Sequence, residues 1–275
     1  MKSKIGMLLV RGAGRDNPKK LMKFVDKLKK DLKKTGIDQE VIHFEMANWY
    51  GPTQENQDRL MEQFVNSGLL KDTLLRKFIL YVVSDLVAYT GEPGKPQSSY
   101  EATHAKLHDS LTAMESNLKE GAPLIISASS LATEIISNYI WDRQQNRQGD
   151  PMNETAFQRM ETLTGVFTFG SNNPLYLAAY QPEEARPFNF PSPGLPRHLK
   201  EIAYWGNFFD RNDPMGYPLR PINQYFAAAV TEDVQINSGN LLSSWNAASH
   251  MAYWNTRKIR KRVVQFIREV LEKLP

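Results

Sequence analysis

Short apolar runs that end in small residues and lead straight into a helical pattern recur along this chain. That alternation restricts the fold more than any other feature. Residues 4–10 form one such run, Arg11-Gly12-Ala13-Gly14 the turn, and Asn17-Pro18 the start of a helix. A second strand is expected at 40–46. Helical patterns cover 54–66, 71–89 and 98–119; Pro93 and Pro96 punctuate the last two, and the middle one is apolar enough to lie against a sheet. Residues 123–129, Pro-Leu-Ile-Ile-Ser-Ala-Ser, run directly into a helical pattern at 131–145. Further strands are expected at 163–169, 202–209 and 230–236, with a closing helix at 255–274. Strands alternating with helices predict parallel βαβ units, hence an α/β fold with a mostly parallel central sheet and helices on both faces. Chemistry in such sheets gathers at the carboxyl ends of the strands. Attention therefore falls on residues 11–14, Ser129-Ser130, Gly170-Ser171-Asn172-Asn173-Pro174, residues 210–213 and the segment after Ile236.

Composition narrows the chemistry. The 275 residues contain no cysteine, which excludes disulfide scaffolds, zinc ribbons and a thiol nucleophile, and leaves a hydroxyl, an amine or a carboxylate. With 41% hydrophobic residues the chain can fill a sizeable core, and its length suits one domain over residues 1–275. Residues 181–197 hold five prolines and read as an irregular excursion. With Phe188 and Phe190 it serves either as a cap over an acyl pocket or as a cover for the sheet. The 34 basic and 30 acidic residues leave a formal charge of only +4. Its lysine cluster at 19–34 is interleaved with Leu21, Phe24, Val25, Leu28 and Leu32, so it reads as the solvated side of an amphipathic helix. Arg257, Lys258, Arg260, Lys261 and Arg262 read the same way, and no nucleic-acid partner is expected. The apolar stretch 5–10 is broken by Gly6, ends at Arg11 and lacks a cleavage site, so it fails as a signal peptide. No run approaches the roughly 18 apolar residues of a membrane span, and a cytoplasmic protein is expected.

The turn Ser127-Ala128-Ser129-Ser130-Leu131-Ala132-Thr133 is the most informative, because a nucleophilic serine elbow needs this strand-to-helix context. Its backbone is strained, and the residues two before and two after the serine must be small. Ser127 has Ile125 before it and Ser129 has Leu131 after it, whereas Ser130 lies between Ala128 and Ala132. Such a serine-rich turn is also a common helix N-cap. A triad on this kind of fold adds an acid and then a histidine, each after a later strand. Asp210 and Asp213 lie in the turn expected after 202–209, and His250 is the only histidine beyond them.

The segments Ser129-Ser-Leu-Ala-Thr with Ser137-Asn-Tyr-Ile-Trp-Asp142, Thr168-Phe-Gly-Ser-Asn172, Asp213-Pro-Met-Gly-Tyr-Pro-Leu219 and Ser249-His-Met-Ala-Tyr-Trp254 resemble bacterial α/β-hydrolase-fold proteins of the lipase and esterase kind. The likeness spans nearly the whole chain, and the late pair around Asp213 and His250 is its most specific part. In those proteins the elbow usually reads His-Ser-Leu-Gly-Gly and the first turn His-Gly-x-Gly; here they are Ser-Ser-Leu-Ala-Thr and Arg-Gly-Ala-Gly. The resemblance implies a serine hydrolase acting on a small-molecule acyl ester without a cofactor. Ser130 is then the nucleophile, His250 the base and Asp213 the favoured acid, with Asp210 as the alternative. Backbone N–H groups of Ala13 and Leu131 would form the oxyanion hole. Gly12, Ser129 and Arg11 are candidate substrate contacts, although Arg11 more readily reads as a brace for the turn. The changed elbow leaves a second expectation, a hydrolase-fold protein with little turnover that binds a ligand or partner.

Other signals are weaker. His104 and His108, four apart on a helix, offer two imidazoles but no third metal ligand. Gly12-x-Gly14 lacks the third glycine of a dinucleotide loop, Asn17 standing there, and Glu45 is the only late acid of the second strand.

Overall fold

The structure is a computed structural model, and it describes residues 2–13, 18–47, 49, 53–68, 70–71, 73, 76–77, 79–89, 98–145, 154–238, 250 and 252–275. Gly14, Asn17, Pro93, Pro96, residues 244–249 and Met251, which figure in the sequence reading, lie outside the described residues.

Six strands form one parallel sheet: β1 (Ile5–Val10), β2 (Ile42–Ala47), β3 (Leu124–Ser129), β4 (Leu163–Phe169), β5 (Tyr204–Asp210) and β6 (Glu232–Ile236), in the order β2-β1-β3-β4-β5-β6. After β1 the chain moves outward to β2, then crosses back over β1 to place β3 on its other side. The winding therefore reverses between β1 and β3, and the carboxyl ends of these two strands open a crevice there. Helices α1 (Lys19–Lys34), α2 (Gln54–Asn66), α3 (Ser84–Tyr89), α4 (Ser99–Glu115), α5 (Leu131–Gln144), α6 (Asn173–Leu177), α7 (Arg197–Lys200), α8 (Gln224–Ala229) and α9 (Arg257–Lys273) connect or cover the strands.

Both faces of the sheet are covered, which is why β1, β3 and β4 are buried at every position rather than alternating with polar residues. Met7, Leu9, Ile125 and Phe167 pack with α1 and α9, on Leu28, Val263 and Phe266. Leu8, Val10, Ile126 and Val166 face the other way, toward Leu107 and Leu111 of α4 and Ile135 and Tyr139 of α5. The stripe of α1 is buried at Leu21, Phe24, Val25, Leu28 and Leu32, leaving its lysines other than Lys20 off the buried side. Arg260 of α9 closes that layer with an ion pair to Asp31 at 3.2 Å.

The segment expected as a sheet-packed helix over 71–89 differs. Its described part has a π-helical turn at Ile79–Val83 running into α3, and Ile79, Val83 and Val87 stay 52, 39 and 67% exposed. It packs on α2 and α4, because α4 and α5 already occupy that face of the sheet. Asp85, buried here, accepts from Thr53 Oγ1 at 2.6 Å and Gln57 Nε2 at 2.5 Å. In the excursion at 181–197, Phe188 stacks on Trp205 of β5 at 4.5 Å between centroids and 13° between planes. Among the described residues no helix is long and apolar enough to cross a membrane.

Helix packs closely on sheet at Gly165 of β4, where an added Cβ would overlap the Phe266 ring, with Cζ at 3.0 Å. Gly165→Ala is expected to destabilise the fold by about 1–3 kcal/mol through overpacking, measured as a lower urea midpoint.

Candidate active site

The sharp passage from β3 into α5 places Ser130 at φ 55° and ψ −133°, a conformation that costs a non-glycine residue about 1–3 kcal/mol. The surroundings hold it there. Its N–H donates to Phe169 O of β4 at 3.0 Å, and its carbonyl accepts from Thr133 N–H at 2.8 Å and Thr133 Oγ1 at 2.7 Å. Across the crevice Gly12 comes so close that a Cβ there would collide with Ser130 Cβ and stand 2.5 Å from Ser129 O. No residue with a side chain fits at position 12 in this arrangement.

The three neighbouring serines are separated by their surroundings. Ser127 Oγ is fully buried and has no hydrogen-bond partner among the described residues. Ser129 Oγ accepts from Trp254 Nε1 at 2.9 Å and Gly12 N–H at 3.3 Å, so it ties the first turn and the C-terminal region to the elbow. Ser130 Oγ lies 2.7 Å from His250 Nε2. On the far side of that ring, His250 Nδ1 lies 2.7 Å from Asp213 Oδ2. The consistent assignment has Nδ1–H donating to the carboxylate and Nε2 accepting from the serine hydroxyl.

Asp213 is a buried carboxylate with several donors. Oδ2 also accepts from Tyr253 OH at 2.8 Å, and Oδ1 accepts from Met215 N–H at 2.9 Å. Burial opposes its charge, but the bond and charge of His250, with those two donors, outweigh burial and hold its pKa below the usual aspartate value. Burial first, and then Asp213's charge, push the Tyr253 hydroxyl well above its usual value, which keeps it a donor. Two glycines make room. A Cβ on Gly170, itself at φ 54°, would lie 2.6 Å from the Tyr253 ring and 3.1 Å from Asp213 Oδ2, and one on Gly216 would overlap that oxygen.

The alternative acid has other work. Asp210, expected in the turn, is the last residue of β5, and its Oδ2 accepts from Ser238 N–H at 2.7 Å and Ser238 Oγ at 2.9 Å. Its Oδ1 accepts from Asn212 N–H at 3.0 Å, and its own N–H donates to Tyr253 OH at 2.9 Å. It braces the loop that carries Asp213, and the histidine meets Asp213.

A cavity of about 30 Å³ lies at Ser130 and His250, with Arg11, Ala13, Lys20, Val82 and Trp254 among its walls. Leu131, immediately after Ser130, is fully buried. The turn is fixed from behind by Trp49 Nε1, which donates to Arg11 O at 2.7 Å. Lys20 titrates below the usual lysine value because of partial burial and then the Arg11 charge, so two cations share this wall. Such an arrangement can move a proton from a serine hydroxyl to an imidazole whose developing charge faces a carboxylate.

The two helix histidines do not converge. His104 Nε2 meets Tyr89 OH at 2.9 Å, whereas His108 Nδ1 meets Tyr139 OH at 3.1 Å. Among the described residues no group of three or more His, Asp or Glu side chains converges as a metal site. The sequence reading names Tyr253 and Trp254 within a motif and Ser171 and Asn173 within a turn but gives none of them a role. The first two have a local signal, an aromatic pair three and four residues after His250. For the chain behind the elbow the signal stops at the turns that hold Thr133, Ser171 and Asn173: Thr133 Oγ1, Ser171 Oγ, Asn173 and Glu134 are joined by hydrogen bonds that include Ser171 to Thr133 at 3.2 Å and Asn173 Nδ2 to Glu134 Oε2 at 2.6 Å.

No protein-family model matches the chain, and none of the curated proteins does.

Glu134 makes the network measurable. Burial raises its pKa to about 7, against the opposing amide hydrogen bonds of Asn138 and Asn173. The folded state then binds a proton that the unfolded state has released, so its stabilising contribution is complete below pH 4.5 and is lost as pH rises through about 7. Glu134→Gln is expected to flatten that decline, by on the order of 3 kcal/mol between these limits, in denaturation curves taken across the range.

Proposed function

We propose that the chain is a serine hydrolase of the α/β-hydrolase kind that cleaves carboxylic esters through an acyl-enzyme. The observation that carries this reading is the hydrogen-bonded row from Ser130 Oγ through His250 to Asp213, with both contacts at 2.7 Å. Its support is the fit between geometry and roles. Ser130 attacks the carbonyl carbon while His250 Nε2 takes the hydroxyl proton. His250 then returns that proton to the leaving alcohol, and Asp213 holds the ring in the Nδ1–H tautomer and stabilises the imidazolium. In the second half water takes the place of the alcohol and His250 repeats the same two transfers. Backbone N–H groups of Leu131 and Ala13 are the donors assigned to the oxyanion; because they are main-chain groups, the alanines in the elbow do not remove them.

The serine, acid and histidine follow β3, β5 and β6 in that chain order, the order used on α/β-hydrolase folds. The strained φ of Ser130 adds to the reading, since an N-cap serine needs no such conformation.

A fluorophosphonate probe is expected to label wild-type protein at Ser130 and to leave Ser130→Ala unlabelled. Hydrolysis of a short-chain nitrophenyl ester is expected to fall by roughly a million-fold in Ser130→Ala and His250→Ala. Asp213→Asn should fall by about 10,000-fold through the wrong histidine tautomer, and Asp210→Asn far less. A folded wild type that is neither labelled nor active overturns the reading in favour of a ligand-binding protein without turnover.

A further inference from the structure

We propose that a second cavity, running along the outer side of α5, binds a small organic cation, an ammonium group on an aromatic or alkyl body, with Glu134 as its counter-ion. The cavity measures about 850 Å³, within the roughly 300–1,000 Å³ typical of small-molecule sites. Its lining and that of the cavity at Ser130 have no described residue in common. It is therefore a separate cavity, whose carboxylate reaches the elbow only through the hydrogen-bonded chain of Asn173, Ser171 and Thr133.

The sequence builds this surface by helical spacing. Glu134, Ser137, Asn138 and Trp141 stand at i, i+3, i+4 and i+7, so they share one face of α5 and line the cavity together. Tyr89 from α3 and Tyr100 from α4 supply a stacked pair of rings, 5.2 Å between centroids. Tyr176 of α6 adds another ring, and the stacked Phe188 and Trp205 also line the cavity.

The charges in the lining are one-sided. Glu101, Glu134, Asp142 and Glu184 contribute carboxylates, and Arg186 is the one cation among the described lining residues. Arg186 is already engaged: its guanidinium lies 3.6 Å over the Tyr225 ring and donates to the carbonyls of Glu183 and Ala185. Asp142 is taken by Tyr100 OH at 2.7 Å, with His104 Nδ1 at 3.6 Å. Glu134 is different. It is 8% exposed, and its hydrogen bonds come from two neutral amides, Asn138 Nδ2 at 3.1 Å to Oε1 and Asn173 Nδ2 at 2.6 Å to Oε2. Each oxygen keeps a further acceptor site.

A carboxylate removed from water whose only hydrogen-bond donors among the described residues are amides is poorly compensated, and a positive charge placed beside it recovers part of the lost solvation. Its raised pKa expresses the same deficit. The ring faces around it attract cations by their quadrupoles, most strongly when water is excluded. A metal ion suits the lining poorly, because hard cations need several convergent oxygen ligands and among the described residues no three acidic or histidine side chains converge. An ammonium ion with an apolar body matches both features.

The test is calorimetric titration of the full chain at pH 8 with phenethylammonium, beside 2-phenylethanol and 3-phenylpropionate, which have similar bodies and neutral or negative heads. The ammonium is expected to bind roughly tenfold or more tighter than either control. Glu134→Gln, which keeps the shape and removes the charge, is expected to lose roughly tenfold or more of the ammonium affinity and none of the alcohol's. Trp141→Ala removes a ring face without touching the carboxylate; it should weaken the ammonium too, and it decides the matter if the Gln variant does not fold. Ser130→Ala should bind the ammonium as wild type does. Equal binding of the three probes, no ammonium binding at millimolar concentration, an unchanged affinity in Glu134→Gln or Trp141→Ala, or its loss in Ser130→Ala would overturn the proposal.

Discussion

The close approach of Gly12 to the elbow is the constraint on which the rest of the site depends. Ser130 keeps its left-handed backbone because β3 ends against β4, which accepts its N–H through Phe169 O at 3.0 Å, and because the chain opposite has no side chain to collide with it. β1 and β3 are neighbours only because the winding reverses between them. The strain of one residue is thus supported by the strand order of the whole sheet. Ser129 adds a tie at the same point: its hydroxyl joins the first turn to Trp254, 125 residues further along the chain.

Asp213 is the second fixed point. A buried carboxylate is costly unless it is well supplied with donors, and this one has the histidine ring, a tyrosine hydroxyl and a backbone N–H. Tyr253 acts in two directions, donating to Asp213 and accepting from the N–H of Asp210. The loop between the two aspartates is consequently held at both ends, one by Ser238 and one by His250. Division of labour between Asp210 and Asp213 follows from position: a residue at the last step of a strand is held by the ladder, whereas one three residues later is free to turn toward the crevice.

Helix α5 serves two regions with different faces. The elbow serine immediately precedes its first residue, and the stripe from Glu134 to Trp141 looks out on the large cavity. The polar chain from Thr133 through Ser171 and Asn173 to Glu134 joins them, so the carbonyl of Ser130 and the cavity carboxylate belong to one hydrogen-bonded system. Glu134 lacks a cationic partner in that system, whereas Asp213 has one available in His250 whenever the ring is protonated. The two carboxyls accordingly shift in opposite directions, Glu134 upward and Asp213 downward.

By itself the sequence determined the elements and the chemistry on offer. Uniform apolar runs marked β1, β3 and β4, helical spacing marked α1, α2, α5 and α9, and the small residues on either side of Ser130 singled it out from Ser127 and Ser129. These are local signals, carried by neighbours within a turn or two. Where locality failed, so did the reading. The segment 71–89 has an apolar pattern suited to a sheet face, but that face was already filled by α4 and α5, a fact no local window contains. The choice between Asp210 and Asp213, the tie through Tyr253 and Trp254, and the cavity along α5 were decided only by the tertiary structure. The physical reason is distance along the chain: Ser130 and His250 are 120 residues apart, and what brings them within 2.7 Å is the order in which strands pair and helices bury their stripes.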